Sequence, residues 1–409
     1  MKYVTPNKKL YINEHNIDKN LGDGLASLTH HLHNREYIKS DYFEQNAKIY
    51  AQKHDSLKVE ETEQLYLPFE FNVQFPPPEN PKFTFIDLFA GIGGFRIALQ
   101  NLNGKCVFSS EIDKSAKKTY TLNFGECPFG DIRNFTGDTI SDEQLNLMIP
   151  DHDILTGGFP CQPFSLAGVS ARNHLGLAHG FLDKIQGTLF YDIVRIVDVK
   201  RPEVVFLENV KNFRTHNHGD TLKTVLAVMD ALNYEQHKEE INANMKVPQN
   251  RKRFYMVFFK KKNPFFEFPK YSGETLKLKS ILEQNVSDEY TISDKLWEGH
   301  KRRTKANLDR GTGFTAFVAD IEKPSNTIVA RYGKDGKECL IPQEGKNPRK
   351  LTKLECARLQ GYPKDYILPS SNAAAYRQFG NSVAVPVIQD IGKNILDSLE
   401  KNKIKLNGI

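Results

Sequence analysis

From Lys82 onward the chain alternates short apolar runs with stretches of helical periodicity. The runs FTFIDLF (83–89), CVFSSEI (106–112), HDILTGGF (152–159), EVVFLENV (203–210) and RFYMVFF (253–259) are nearly continuous in apolar character, which predicts strands buried on both faces. Between them Leu189, Ile193, Ile196 and Val197 share one helix face, and Leu222, Val225, Leu226, Met229 and Leu232 share another. Strands alternating with helices predict a doubly wound α/β domain with a mostly parallel sheet. Ligands of such sheets sit at the carboxyl ends of the strands, so chemistry is sought just after each apolar run.

The flanks read differently. Residues 1–80 form an N-terminal extension in which Tyr37, Ile38, Tyr42, Ile49 and Tyr50 predict one amphipathic helix amid polar sequence. Five of the twelve histidines lie there without metal-ligand spacing, and no metal site is expected. FPPPENP (75–81) cannot continue a helix or a central strand and predicts a linker into the α/β part, 81–262. Residues 263–348 break the alternation with scattered glycines and many charges, predicting a separate, smaller domain. Helical pattern returns at Leu351 and leads into GNSVAVPVIQDIGKNIL, so 349–409 are expected to rejoin the α/β part.

Composition narrows the class. Of 409 residues, 39% are hydrophobic and 26% charged, which excludes wholesale disorder, collagen-like repeats and coiled-coil rods. No apolar run approaches the ~18 residues of a membrane span, and the polar start MKYVTPNKKL is not a secretory signal, so a cytoplasmic protein is expected. Five cysteines, odd in number and without a CxxC pair, speak against a disulfide framework or zinc knuckle. The net charge of +6 is concentrated: residues 260–350 hold 19 Lys and Arg against 13 Asp and Glu, while the rest of the chain carries 37 of each sign. That is the footprint of a surface docking on phosphate backbone, or of an ordinary solvated face.

Four segments carry candidate chemistry. In DLFAGIGGF (87–95) a strand runs into Gly91, Gly93 and Gly94 and then a helix, a geometry that lets a ligand approach the backbone closely. The third glycine of the dinucleotide fingerprint is missing. Glu111 ends the next run, where a carboxylate accepts from a ribose diol, and Asp131 follows in GDIRNF, placed to accept from an adenine amino group. Glycines, Glu and Asp at consecutive strand ends suit an adenosine-containing ligand, though ordinary turns use the same residues. In GGFPCQPFS (157–165) Cys161 lies on a proline-flanked loop after a buried strand, where a thiolate would be exposed as a nucleophile; an inert buried cysteine is the alternative. Glu208 ends the run in ENV, and a desolvated carboxyl there stays protonated and bonds a ring nitrogen, unless it simply faces water. Gln249, Arg251 and Arg253 alternate along QNRKRFYMVFF, which predicts one face presenting two guanidinium groups to phosphate or base oxygens, or a solvated basic run.

Taken together, in this order and spacing, these segments are specific. The chain resembles the bacterial cytosine-C5 DNA methyltransferases over about residues 82–262 and 348–395. The resemblance is carried by DLFAGIGGF, SSEID, GDI, GGFPCQPFS, QGTLF (186–190), LENV, VPQNRKR, RKLTKLECARLQGYP and QFGNSVAVP. It implies a Rossmann-like, S-adenosylmethionine-dependent methyltransferase fold with 263–348 as an inserted target-recognition domain. By the same resemblance S-adenosylmethionine is the methyl donor, held by Phe89, Gly91, Gly93, Glu111, Ile112, Asp131, Ile132, Pro160, Leu189, Asn381 and Val383. Ile112 departs from the Trp of many relatives. Cys161 is implied to add to C6 of a flipped-out cytosine, Glu208 to engage N3 and the exocyclic amine, and Arg253, supported by Arg251, to hold the O2 side. Gln162, Ser165, Gln249, Arg331, Tyr332 and Lys334 are implied to contact double-stranded DNA. GTGF (311–314) and TIVARYGKDGKECLI (327–341) resemble enzymes that modify the inner cytosine of CC(A/T)GG. A monomer working beside a cognate restriction endonuclease is the partner arrangement implied.

Rival readings differ at identifiable residues. A transfer-RNA enzyme of the same family carries a Cys-Phe-Thr signature, absent here. A non-catalytic DNA-binding descendant would have lost Cys161 or Glu208. A nicotinamide oxidoreductase leaves the cysteine loop unexplained, and exocyclic-amine methyltransferases need an Asp/Asn/Ser-Pro-Pro-aromatic motif that FPPPEN does not supply.

Overall fold

A computed structural model of the chain describes residues 21–34, 37, 40–52, 73–160, 188–312 and 316–406. It divides into two compact units: residues 1–240, 253–268 and 392–409 form the first, and 241–252 with 269–391 the second. The boundary expected at 348 therefore falls inside the second unit, and of the terminal stretch only 392–409 groups with the α/β part.

The first unit opens with helices α1 (Asp23–Asn34) and α2 (Tyr42–Gln52). There follow β1 (Phe83–Leu88), α3 (Gly94–Gln100), β2 (Gly104–Ser110), α4 (Lys114–Phe124), the single turn α5 (Arg133–Thr136), α6 (Asp142–Met148) and β3 (Ile154–Gly158). Next come α7 (Leu189–Lys200), β4 (Val204–Val210), α8 (Asp220–Ala231), β5 (Glu235–Asn242), the two-residue β6 (Gln249–Asn250) and β7 (Lys252–Phe259). Later elements are α9 (Asp294–Asp309), β8 (Ser325–Asn326), α10 (Tyr332–Asp335), α11 (Lys353–Leu359), α12 (Asn372–Asn381) and α13 (Val385–Lys401).

One six-stranded sheet, in the order β2-β1-β3-β4-β7-β5, organises the first unit. β1 pairs in parallel with β2 and β3, and β3 with β4, whereas β7 runs antiparallel to β4. The predicted mostly parallel α/β sheet is thus present, and the strands that were legible as apolar runs are the ones buried along their length. β5, sequence EQHKEEIN, lies at the sheet edge with polar side chains and gave no apolar signal. Helix ends follow ordinary chemistry. Asp113 accepts from the Ser115 and Ala116 N–H groups to start α4, and Gly125, left-handed at φ 66°, ends it. Thr188 caps α7 through the Tyr191 N–H, and Ser141 with Gln144 closes a reciprocal capping box on α6.

In the second unit β6 pairs in parallel with β8. α9 is missed by a hydrophobic-periodicity reading because it is charged almost all round; His300 is its one buried residue. Thr352 and Glu355 form a capping box on α11, and the buried Glu355 carboxylate also takes both ends of the Arg349 guanidinium, at 2.7 and 2.8 Å. No helix among the described residues is long and apolar enough to cross a membrane.

Candidate active site

Because β1, β3 and β4 run parallel and β7 runs back, four chain segments reach one edge of the sheet: the ends of the three parallel strands and the start of β7. Val210 pairs with Arg253 and Glu208 with Tyr255 in that register. The result is an ion pair: Arg253 Nε donates to Glu208 Oε1 at 3.1 Å, with only 11% of either side chain exposed. A Cβ on Gly158, at the end of β3, would stand 3.6 Å from Glu208 Oε2, an ordinary contact that places the end of β3 against the carboxylate. Asn209, beside it, donates from Nδ2 to the Phe159 carbonyl at 2.9 Å and so ties β4 to the backbone that follows β3. The ENV motif was quoted in the sequence, but this tether is visible only in three dimensions. Phe159 packs on Phe190 and Phe213, which fixes the backbone just after β3. Cys161, Gln162 and Ser165 lie outside the described residues.

Around the ends of β1 and β2 the sequence-predicted pocket residues converge. Glu111 accepts from the Gly91 N–H and the Asp113 N–H, both at 2.7 Å, so one carboxylate joins the glycine turn to the loop after β2. Burial pushes its pKa up, while these backbone donors oppose the shift. Phe89 and Gly91 both adopt left-handed backbone, at φ 55°. A Cβ built on Gly91 meets nothing nearer than the Phe89 carbonyl at 4.0 Å, whereas one on Gly93 would collide with Phe124 at 2.3 Å. Both positions favour glycine for their positive φ, and at Gly93 packing against Phe124 forbids a Cβ as well. The segment carrying Asp131 joins this edge through a parallel bridge of Ser110 with Phe129 and the Glu111 N–H to the Phe129 carbonyl at 2.8 Å. Asp131 holds Arg133 in a fork, with contacts of 2.9, 3.0 and 2.5 Å, and that hydrogen bonding draws its pKa down. Ile132 is buried beside it, and Ile112, a large apolar residue, is 66% exposed. Leu189 is half-buried against the core and Pro160 exposed. An apolar platform, a glycine cradle with room above it and an anchored carboxylate fit an adenosine-type ligand.

Several expectations need correcting. Gln249, Arg251 and Arg253 do not present one face of one strand, since Arg251 falls in the break between β6 and β7. Arg251 is buried and donates to the Ile328, Gly380 and Ser382 carbonyls within the second unit, and Gln249 is buried with its amide spent on the Leu359 carbonyl and the Ile328 N–H. Neither side chain has surface to offer DNA in this conformation. Tyr332 is also core: its hydroxyl donates to the Cys339 carbonyl at 2.6 Å and accepts from the Leu351 N–H at 2.9 Å. Arg331, 63% exposed beside Glu338 at 3.4 Å, and Lys334 remain at the surface of that unit. Asn381 is exposed and Val383 buried, both in the second unit.

The mostly parallel α/β sheet, with a glycine turn and a buried Glu–Arg pair at strand ends, is the architecture of a doubly wound domain that binds its ligand at the carboxyl ends of its strands. The C-5 cytosine-specific DNA methylase family model matches residues 83–397, and the chain belongs to that family. It is 49% identical over 337 residues to the Type II methyltransferase M1.ScrFI of Lactococcus lactis subsp. cremoris, covering 80% of this chain and 82% of that protein. With the Type II methyltransferase M.DsaV of Dactylococcopsis salina it shares 45% over 327 residues, 79% of this chain and 88% of the other. The crystal structure of S. pombe Dnmt2 methyltransferase matches with TM-score 0.60 at 20% identity, over 79% of this chain and all of that one, which establishes the fold. The protein is thus a DNA cytosine-C5 methyltransferase.

Proposed function

We propose that the enzyme transfers a methyl group from S-adenosylmethionine to C5 of a cytosine flipped out of duplex DNA, with Cys161 as covalent nucleophile. The observation that carries this reading is the buried Glu208–Arg253 pair, with Asn209 beside it bonded to the Phe159 carbonyl, two residues ahead of Cys161 in the sequence. Cysteine chemistry supports it: Cys106, Cys127, Cys339 and Cys356 are all buried, and burial raises each thiol, Cys127 to about 11 and Cys339 to about 12. Burial thus disfavours the thiolate at each of these four, and Cys161 is the fifth cysteine of the chain.

The bound donor supplies an electrophilic methyl on a sulfonium. Phe89, Gly91, Gly93, Glu111, Ile112, Asp131, Ile132, Pro160 and Leu189 would hold it. Cytosine C5 is too electron-poor to react unaided. The Cys161 thiolate bonds to C6, and a proton taken up from solvent by the Glu208 carboxylate and passed to N3 neutralises the electrons displaced into the ring, making C5 nucleophilic. Arg253 orients Glu208 and faces the O2 side. After C5 is methylated, loss of its proton reforms the 5,6 double bond and expels Cys161.

The basic segment 260–350, including Arg331 and Lys334, fits a DNA-reading role, with CC(A/T)GG as the proposed target. We place the protein in a bacterial cytoplasm, acting as a monomer beside an endonuclease of the same specificity. Tritium transfer from labelled donor should be seen with duplex DNA and not with transfer RNA. Bisulfite sequencing of expressing cells should then show methylation at the inner cytosine of CC(A/T)GG. Methylation at CCGGG and CCCGG as well would widen the central base, and methylation confined to an unrelated motif would refute the target.

A further inference from the structure

The N-terminal helices lie outside residues 83–397, the stretch matched by the family model, yet α1 is hydrogen-bonded to the segment that carries Asp131 and Ile132. Its first residue, Asp23, accepts from the Gly130 N–H at 2.8 Å with one carboxylate oxygen and from Asn134 Nδ2 at 3.3 Å with the other. Asp131 and Ile132, the residues read as the adenine end of the pocket, lie between those two contacts. The segment has little regular structure of its own, only the Ser110–Phe129 bridge and the single turn α5, so its backbone depends on outside partners.

α1 provides further partners along the same stretch. The Cys127 N–H donates to Thr29 Oγ1 at 3.0 Å, and the Ser109 N–H to His30 Nε2 at 3.1 Å, with His30 Nδ1 donating to the Ala26 carbonyl at 2.8 Å. Lys117 Nζ reaches the Leu21 carbonyl at 2.7 Å. At the far end, Asn34 Nδ2 donates to buried Glu126 at 3.1 Å, whose other oxygen takes Arg96 from α3 at 2.6 Å.

We infer that Asp23 is a positioning residue for the methyl donor: it clamps the Gly130–Asn134 turn so that Asp131 and Ile132 are preorganised at the adenine end. This rests on the donor assignment proposed above. Without the clamp the turn samples more conformations, and donor binding must order it at a cost in affinity, while the reacting atoms at the cysteine loop are untouched.

The test uses the full chain with Asp23→Ala and Asp23→Asn. S-adenosylhomocysteine affinity is measured by calorimetry, and KM for the donor and kcat are measured on duplex DNA. Loss of a charged acceptor should raise Kd and KM roughly tenfold in Asp23→Ala with kcat at saturating donor within about twofold. Asp23→Asn, which keeps an oxygen for the Gly130 N–H, should recover most of the loss. Should Asp23→Ala fail to fold, Asp23→Ser replaces it: serine is equally at home where a helix begins but too short to reach the turn. Donor Kd within twofold of the unaltered protein, or equal losses in kcat and affinity, would overturn the inference and leave the donor assignment standing. Failure of the unaltered protein to bind S-adenosylhomocysteine would remove both.

Discussion

Gly91 and Gly93 are two residues apart in one turn, and both have positive φ, at 55° and 77°. Alanine in left-handed backbone costs roughly 1–2 kcal/mol at either position. Beyond that strain the two substitutions diverge. At Gly91 the new methyl enters open space, so Gly91→Ala should lose only the backbone term. At Gly93 the methyl would stand 2.3 Å from Phe124 Cε2, 2.7 Å from its Cζ and 3.2 Å from Tyr120. Both rings are fully buried and pack on each other at 4.6 Å, so neither can withdraw cheaply. Overpacking of that kind adds about 1–3 kcal/mol, giving roughly 2–5 kcal/mol in all for Gly93→Ala. Donor binding should rank the other way. On the proposed donor assignment the Gly91 methyl would occupy the space where the ligand approaches the backbone, and should weaken S-adenosylhomocysteine by at least about tenfold in a protein that is still folded. Urea unfolding gives the first quantity and calorimetric titration of the folded variants the second. Equal unfolding midpoints for the two variants, or unaltered ligand affinity in Gly91→Ala, would show that the turn is not the cradle described.

Other consequences can be checked separately. Glu208→Gln should lower kcat by about 10²–10⁴ while leaving donor Kd within twofold, and an unchanged rate would remove Glu208 from the chemistry. Asp192 is buried and its pKa is raised to about 6, chiefly by burial, so it favours the folded state below about 4 and loses that contribution as pH rises through 6. Asp192→Asn, whose amide oxygen still accepts from Thr136, should therefore stabilise the protein by on the order of 2–3 kcal/mol at pH 8 and by little at pH 4; equal effects at both would contradict the assignment. Tyr332→Phe should cost about 1–3 kcal/mol of stability, having stripped a partner from a buried carbonyl and a buried N–H, and leave the salt dependence of DNA binding alone. Arg331→Ala should do the reverse, reducing the slope of log affinity against log salt by about one.

What the sequence could reveal follows from where its signals come from. β1 to β4 and β7 were legible because burial on two faces makes a strand apolar from end to end, and the strand-end positions of Glu111 and Glu208 followed from that. β5 and α9 were not, as an exposed edge and a charged helix carry no such pattern. α1 was missed for a related reason: its docking rests on Asp23, Thr29, His30 and Asn34, polar residues whose burial depends on partners far along the chain. The alternation of Gln249, Arg251 and Arg253 misled because it assumed one unbroken strand. Tyr332 was implied as a DNA contact by the resemblance alone, and its burial became visible only when both partners of its hydroxyl were seen to be backbone groups.

The central claim is a transient bond between Cys161 and cytosine C6, and an oligonucleotide with 5-fluorocytosine at the target position tests it most directly, because fluorine cannot leave as the proton does. With S-adenosylmethionine present, the account predicts a denaturant-resistant adduct whose mass equals protein plus methylated oligonucleotide, mapped by peptide sequencing to Cys161 and missing in Cys161→Ala. Turnover of ordinary DNA by the protein with no adduct formed on the fluorinated strand, or an adduct mapped to another residue, would contradict it.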